Sequence, residues 1–261
     1  MSFGAKFTRA IVRVPGENFA EGLTTVDLGT PDYGLALRQH EAYCAALEQC
    51  GLALTRLRPD DRYPDSTFVE DTAVLTPHAA VIARPGAVSR VGEIEAIKGV
   101  LRPAFAQLRE IRQPGTLDGG DVCEAGDHFF IGISQRTNEA GAAQLARFLA
   151  GFGYDATLID IRGLSNILHL KSGLAYLGGN RLLVIDELKH FKEFSSYARV
   201  AVDKSEAYGA NCLLINDRVL IASGFPGLQR QLERLDYEVV ALDMSEFQKM
   251  DGGLSCLSLR F

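Results

Sequence analysis

Four times along this chain two short apolar runs flank a turn: "TAVLTPHAAVIARP", "DVCEAGDHFFIGI", "GLAYLGGNRLLVI" and "NCLLINDRVLIAS". Ala-Gly-Asp, Gly-Gly-Asn and Asn-Asp-Arg mark the turns of the last three, so these runs read as β-hairpins. A helical pattern and a further strand follow most of them. "TNEAGAAQLARFLAGFG" puts Leu145, Phe148 and Leu149 on one face behind an Asn138 cap. Gly151 or Gly153 ends that helix, and "DATLIDIR" is the next strand. "PGLQRQLERL" spaces Leu228, Leu232 and Leu235 for a helix before the strand "YEVVALDMS". "GEIEAIKGVL" stops before Pro103 and leads to "AQLREIR". The third unit has the weakest helix, because the period of "ELKHFKEFSSYARVAV" is blurred.

A fifth unit is divided between the ends of the chain. "FTRAIVRVP" is a strand, "DYGLALRQHEAYCAALEQCG" an amphipathic helix and "LALTRLRP" its following strand. The missing partner is "LSCLSLRF", which pairing of the two ends would supply. The pattern therefore predicts an α/β chain of five strand–strand–helix–strand units in a closed ring, one domain over 1–261. The beginnings of the first strands would point at a common centre.

Chemistry gathers at those beginnings. "PDSTFVED" carries Asp65, Phe68, Glu70 and Asp71; "GTLDGGD" carries Asp118 and Asp121; "ILHLKSG" carries His169; the fourth unit opens with "GANC"; and "DGGLSC" brings Cys256. Each has a plainer reading. A lone cysteine is more often a small core residue, His169 between two leucines a satisfied core histidine, and the acids a solvated loop. Arg90 and Arg136 read by default as surface charges, as do the helix and turn histidines His40, His78, His128 and His190. The joint recurrence at equivalent ring positions favours a cysteine hydrolase site.

Composition narrows the partners. With 47% hydrophobic and 23% charged residues over 261 positions, the chain is an ordinary soluble globular protein, and its net charge of −6 excludes nucleic acid or an anionic membrane as the main partner. Small cations remain open to it wherever carboxylates line a pocket. The five cysteines Cys44, Cys50, Cys123, Cys212 and Cys256 are scattered, without metal-ligand spacing, and predict a reduced, cytoplasmic chain. No run approaches the roughly 20 apolar residues of a membrane span, and the start reads as lacking a signal segment.

Together "PDSTFVED", "GTLDGGD", "RTN", "LHLKSG", "ANC" and "DGGLSCLS" resemble the dimethylarginine dimethylaminohydrolases, relatives of the arginine deiminases, from about Ala10 to the last residue. The resemblance implies a pentein fold, a five-bladed α/β propeller, in agreement with the repeat count. It implies hydrolysis of dimethylated and monomethylated arginine to citrulline through a covalent cysteine thiouronium, with no cofactor and no metal. It makes Cys256 the nucleophile, His169 the general acid/base and Asp118 its partner. It makes Asp71 the grip on the guanidinium, with Asp65, Phe68 and Glu70 also against substrate. Arg90 and Arg136 fall near the substrate carboxylate, and Leu23 and Met250 offer backbone to the amino-acid end. Arg84 rivals Arg90 within "ARPGAVSR". Asp118 stands where some bacterial members carry glutamate, which leaves open whether it contacts His169 or mainly the guanidinium. Gly252 and Gly253 would let backbone approach the ligand. A homodimer is compatible with this picture. Rival readings are an arginine deiminase, which usually carries an inserted helical domain, an amidinotransferase, and a non-catalytic binding protein on the same fold.

Overall fold

The structure, a computed structural model, describes residues 6–164 and 167–261; the first residues of the start read as lacking a signal segment lie outside it. The chain opens with β1 (Arg9–Arg13), α1 (Tyr33–Gln49) and β2 (Ala53–Leu57). Two units follow the predicted order in full: β3 (Ala73–Leu75), β4 (Ala79–Ile82), α2 (Ile94–Leu101) and β5 (Gln107–Glu110); and β6 (Val122–Ala125), β7 (His128–Ile133), α3 (Glu139–Gly151) and β8 (Asp155–Asp160); a third has β9 (Leu174–Tyr176), β10 (Arg181–Val184) and β11 (Ala198–Ala201) without an α-helix. A fourth comprises β12 (Leu213–Ile215), β13 (Arg218–Ala222), α4 (Pro226–Glu233) and β14 (Glu238–Leu242). The short α5 (Ser245–Gln248) and β15 (Ser258–Arg260) complete the order.

Among the described residues these strands make five three-stranded sheets. In each, the second hairpin strand is central, antiparallel to the first and parallel to the third, as in β3-β4-β5 and β6-β7-β8. The divided unit follows the same rule: β1 pairs antiparallel with β15, Ile11 opposite Leu259, and parallel with β2, Ile11 opposite Thr55. A parallel return needs a crossover of a dozen residues or more, which is the work of the intervening helices.

Local chemistry sets the elements. Asp32 caps α1 by accepting the Leu35 N–H at 2.6 Å, and Asn138 caps α3 by accepting the Gly141 N–H at 2.8 Å. Of the two glycines offered for the end of α3, Gly151 stays helical and Gly153, with φ of +90°, ends it. Asn216 at φ +55° turns the β12–β13 hairpin, a conformation asparagine tolerates better than most residues. Asn138 also accepts the Thr116 N–H and donates to the Pro114 carbonyl. Asn138→Ala is therefore expected to cost about 1–2 kcal/mol, read as a lowered urea midpoint with an unchanged slope.

Three expectations are corrected. Between β10 and β11 the blurred segment forms two 3₁₀ turns, Asp186–Leu188 and Lys192–Phe194. Leu188, Phe191 and Phe194 are spaced by three, which matches the 3₁₀ period rather than 3.6; Leu188 and Phe194 are fully buried, and the Phe194 ring meets Phe130 edge-on at 5.0 Å. "LSCLSLRF" is a strand only from Ser258; Cys256 lies in a 3₁₀ turn, Ser255–Leu257. His40 is a core residue at 2% exposure, and burial lowers its pKa to about 4, so a neutral imidazole packs beside Cys44. His128 is half-buried and bonds Thr157 at 2.9 Å, while His78 and His190 are exposed.

A 3₁₀ turn stands immediately or shortly before the first strand of every unit: Val69–Thr72, Gly119–Asp121, Leu170–Ser172, Lys204–Ala210 and Ser255–Leu257. These five turns contact one another in succession, and they carry the site.

Candidate active site

"PDSTFVED" folds as two consecutive 3₁₀ turns, with Pro64 at the first helical position, where its missing N–H costs nothing. Asp65, Glu70 and Asp71 are all buried. The Asp71 carboxylate accepts the Gly120 N–H at 2.9 Å and the Arg90 guanidinium at 2.6 Å. Gly120 is required here: a Cβ would lie 2.8 Å from His169 Nδ1 and 2.9 Å from Asp71 Oδ1.

His169 begins its turn, and its Nε2 meets Asp118 Oδ2 at 3.0 Å. Asp118 is fully buried, and its other oxygen accepts the Gly86 N–H at 2.8 Å. The Asp118 carboxylate contacts the histidine and does not line the cleft. Burial opposes charge on His169, but Asp71, Asp121 and Asp118 prevail and raise its pKa to about 9. Asp118 is held below the usual carboxylate range by its bond to His169, against the effect of burial. An imidazolium–carboxylate pair is the result at neutral pH. Asp121, one turn further on, accepts the Leu170 N–H at 3.0 Å and the Ser134 hydroxyl at 2.6 Å, and Ser134 accepts the Arg136 N–H at 3.0 Å. One buried acid thus fastens the histidine turn to the loop that carries Arg136.

Cys256 is half-buried on its turn. The neighbouring Ser255 anchors it: the Ser255 N–H donates to Asn211 at 2.9 Å and its hydroxyl to Glu70 at 2.7 Å. Burial, then Glu70 and Asp71, push the Cys256 thiol up to about 12, so without a ligand it is protonated. Gly253 packs on the Asn211 side chain and Gly252 on the Phe68 ring, and neither has a positive φ. Their lack of a side chain makes room for protein neighbours, and Gly252 lines the cleft.

A cleft brings together Cys256, His169, Asp71, Asp65, Phe68, Arg90, Arg136, Leu23 and Met250, all singled out from the sequence. Leu168, Asp251 and Gly252 complete its wall. Leu168 carries no chemical signal that a sequence reading could use. Asp251 had one, an acid before the two glycines, and it accepts both the N–H and the hydroxyl of Thr25. Two predicted residues stand apart from the cleft. Asp118 lies behind His169. Glu70 faces away, paired with Lys171 at 2.6 Å and Arg260 at 2.9 Å. The Leu23 N–H donates to Asp65 at 3.0 Å.

Arg90, rather than Arg84, reaches the cleft, but its guanidinium is buried and already engaged by Asp71, Glu93 and the Phe68 carbonyl. Those carboxylates hold it charged despite burial. Arg136 is half-buried and forms no ion pair among the described residues. Asp71, Asp118 and His169 also bring ligand-type atoms within 4.8 Å of one another, the one such group among the described residues. Their atoms are already turned to Arg90, Gly120 and each other, in a hydrogen-bonded arrangement that needs no ion.

No family model matches the chain. It is 43% identical to N(G),N(G)-dimethylarginine dimethylaminohydrolase of Pseudomonas aeruginosa over 98% of this chain and 100% of that protein. It is 36% identical to the protein of the same name from Streptomyces coelicolor, over 97% of this chain and 96% of that one. The solved Pseudomonas aeruginosa enzyme, as a cysteine-to-serine variant complexed with citrulline, superposes with a TM-score of 0.95 at 42% identity, covering 98% of this chain and 100% of that chain. The chain belongs to the dimethylarginine dimethylaminohydrolase family.

Proposed function

We propose that this protein hydrolyses Nω,Nω-dimethyl-L-arginine, and the monomethylated form, to citrulline and the corresponding amine. The observation that carries the reading is a half-buried cysteine on the same cleft as a His–Asp pair and a buried carboxylate, in a chain so similar to enzymes of that name. The guanidinium is a permanent cation and a poor electrophile. Asp71, with Asp65 further out, offers it charge-assisted bonds. Arg136, the cation of the cleft without an ion pair among the described residues, takes the substrate α-carboxylate. Arg90 holds Asp71 in place and does not itself bind the carboxylate.

Docking of the cation offsets the burial and the Glu70 and Asp71 charges that keep Cys256 protonated, and the thiol ionises, giving its proton to solvent water. Its sulfur adds to the guanidine carbon, the C–N bond to the dimethylated nitrogen breaks, and the His169 proton goes to that nitrogen. His169 then takes a proton from the water that attacks the thiouronium; the C–S bond breaks and citrulline leaves. A thiolate absorbance titration of the native chain minus Cys256→Ser tests the activation step. An unreactive guanidinium ligand is expected to lower the Cys256 pKa by about one unit or more; an unchanged value would overturn it.

The five units are further proposed to close into a ring, a five-bladed α/β propeller acting as one domain over 1–261. The β1–β15 pairing and the packing of β15 on β3, β6 on β9 and β9 on β12 support this. The five free cysteines support a cytoplasmic location. Among the described residues no helix is long and apolar enough to cross a membrane. Assaying dimethylarginine, monomethylarginine and arginine separately for citrulline tests the activity. Preference for arginine would replace this reading by a deiminase, and no citrulline from any of the three would end it.

A further inference from the structure

The cleft has a neighbour. A second cavity of about 440 Å³ lies behind it, lined among others by Glu70, Lys171 and Ser255. Each of these is one or two positions from a cleft residue: Asp71, His169 and Cys256. The same three turns thus face two spaces and form the wall between them. Its closure is Lys171 on Glu70; Glu70 is also held by Ser255 and Arg260, whereas the described Lys171 amine has this one ion pair. Lys171 can swing aside while Glu70 keeps two partners.

The reaction proposed above gives such a wall a task. After the first half-reaction the amino-acid end remains covalently attached through Cys256 and occupies the cleft towards Leu23, Met250 and Arg136. The amine is set free at the bottom, and water must reach the same place. We propose that the second cavity receives the released amine as a small alkylammonium cation, held by Glu124, and supplies the hydrolytic water, with Lys171 as the movable closure. This inference rests on the hydrolase reading.

The lining suits that ligand. Val74, Phe129, Leu174 and Leu213 offer apolar surface to methyl groups. Glu124 lines the cavity, half-buried, with no hydrogen bond or ion pair to its carboxylate among the described residues. Burial raises its pKa to about 7, against the pull of Arg260 and Lys171, so an incoming cation stabilises its charged form. The amine leaves carbon with one proton from His169 and takes a second from the Glu124 carboxyl, which becomes the carboxylate that holds the ammonium. Exposed Lys6 and Thr8 line the cavity where it meets solvent.

Thr8→Trp and Leu214→Trp, singly and together, narrow the cavity without touching the cleft; both positions start exposed or half-exposed. With dimethylarginine, kcat is expected to fall about tenfold with KM falling in step, because the second half-reaction becomes limiting. The covalent adduct should then accumulate in acid-quenched mass spectra. A folded variant with unchanged kcat and adduct level overturns the inference, as does a rise in KM alone; the single variants serve if the double one does not fold. For the ammonium site, added dimethylammonium should inhibit the native chain at saturating substrate, and Glu124→Gln should relieve it. No inhibition, or equal inhibition in both, removes that site. Failure of the native chain to release citrulline would instead remove the hydrolase reading.

Discussion

Cys256→Ser will lower citrulline release by about 10⁴-fold or more, while dimethylarginine still binds. The serine hydroxyl fits the same turn, since Ser255 and Asn211 hold the backbone and not the sulfur. Asp71, Asp65 and Arg136, the proposed binding groups, are untouched. What is lost is nucleophilicity: an alcohol is far harder to ionise than a thiol, and the buried acids Glu70 and Asp71 already oppose negative charge at this position. Citrulline release and isothermal titration on one preparation give both halves of the result. Residual turnover within tenfold of the native chain would move the nucleophile elsewhere.

Arg90→Met will destabilise the fold by about 3–5 kcal/mol, the largest stability loss expected of any change in the site. Arg90 is 4% exposed and bridges Asp71 and Glu93, which are themselves buried. Methionine fills the space but leaves two carboxylates facing each other without a counter-charge. The fold then either neutralises one of them or admits water. Adding Glu93→Gln should restore part of the loss, because one of the two stranded charges is gone; guanidinium denaturation of the native chain and the two variants measures it. A loss below about 1 kcal/mol would mean that the pair behaves like an exposed surface bridge. Activity should fall as well, since Asp71 loses the partner that aims it.

The repeat was readable because its signals are local. Apolar runs around Gly126 and Asn216 announce hairpins, and Asn138 announces α3, from neighbours a few positions away. Much of the site was readable for a related reason: acids, histidine and cysteine stand just before those runs, and the fold turns that linear place into a shared cleft. The errors lie where distant partners decide. The apolar-rich run from Leu254 to Leu259 reads as a buried strand, yet Glu70 and Asn211, far off in sequence, draw Ser255 into a turn. Glu70 looks like a substrate acid beside Asp71 until Lys171 and Arg260 claim it. Arg90 looks like a surface charge until Glu93 and Asp71 close around it. His40 gives no sign that its face of α1 is the inner one.

The pairing of β1 with β15 has a kinetic side. Every other sheet joins strands separated by a hairpin or a single crossover, whereas this contact closes a loop of almost the whole chain. Loop-closure entropy makes such contacts late, after local units have formed. The turn bearing Cys256 directly precedes β15, so the order of assembly places it near the end. The hairpins carrying the acids and His169 are local structures that can be in place first, and the thiol then arrives at a site already shaped to control its charge.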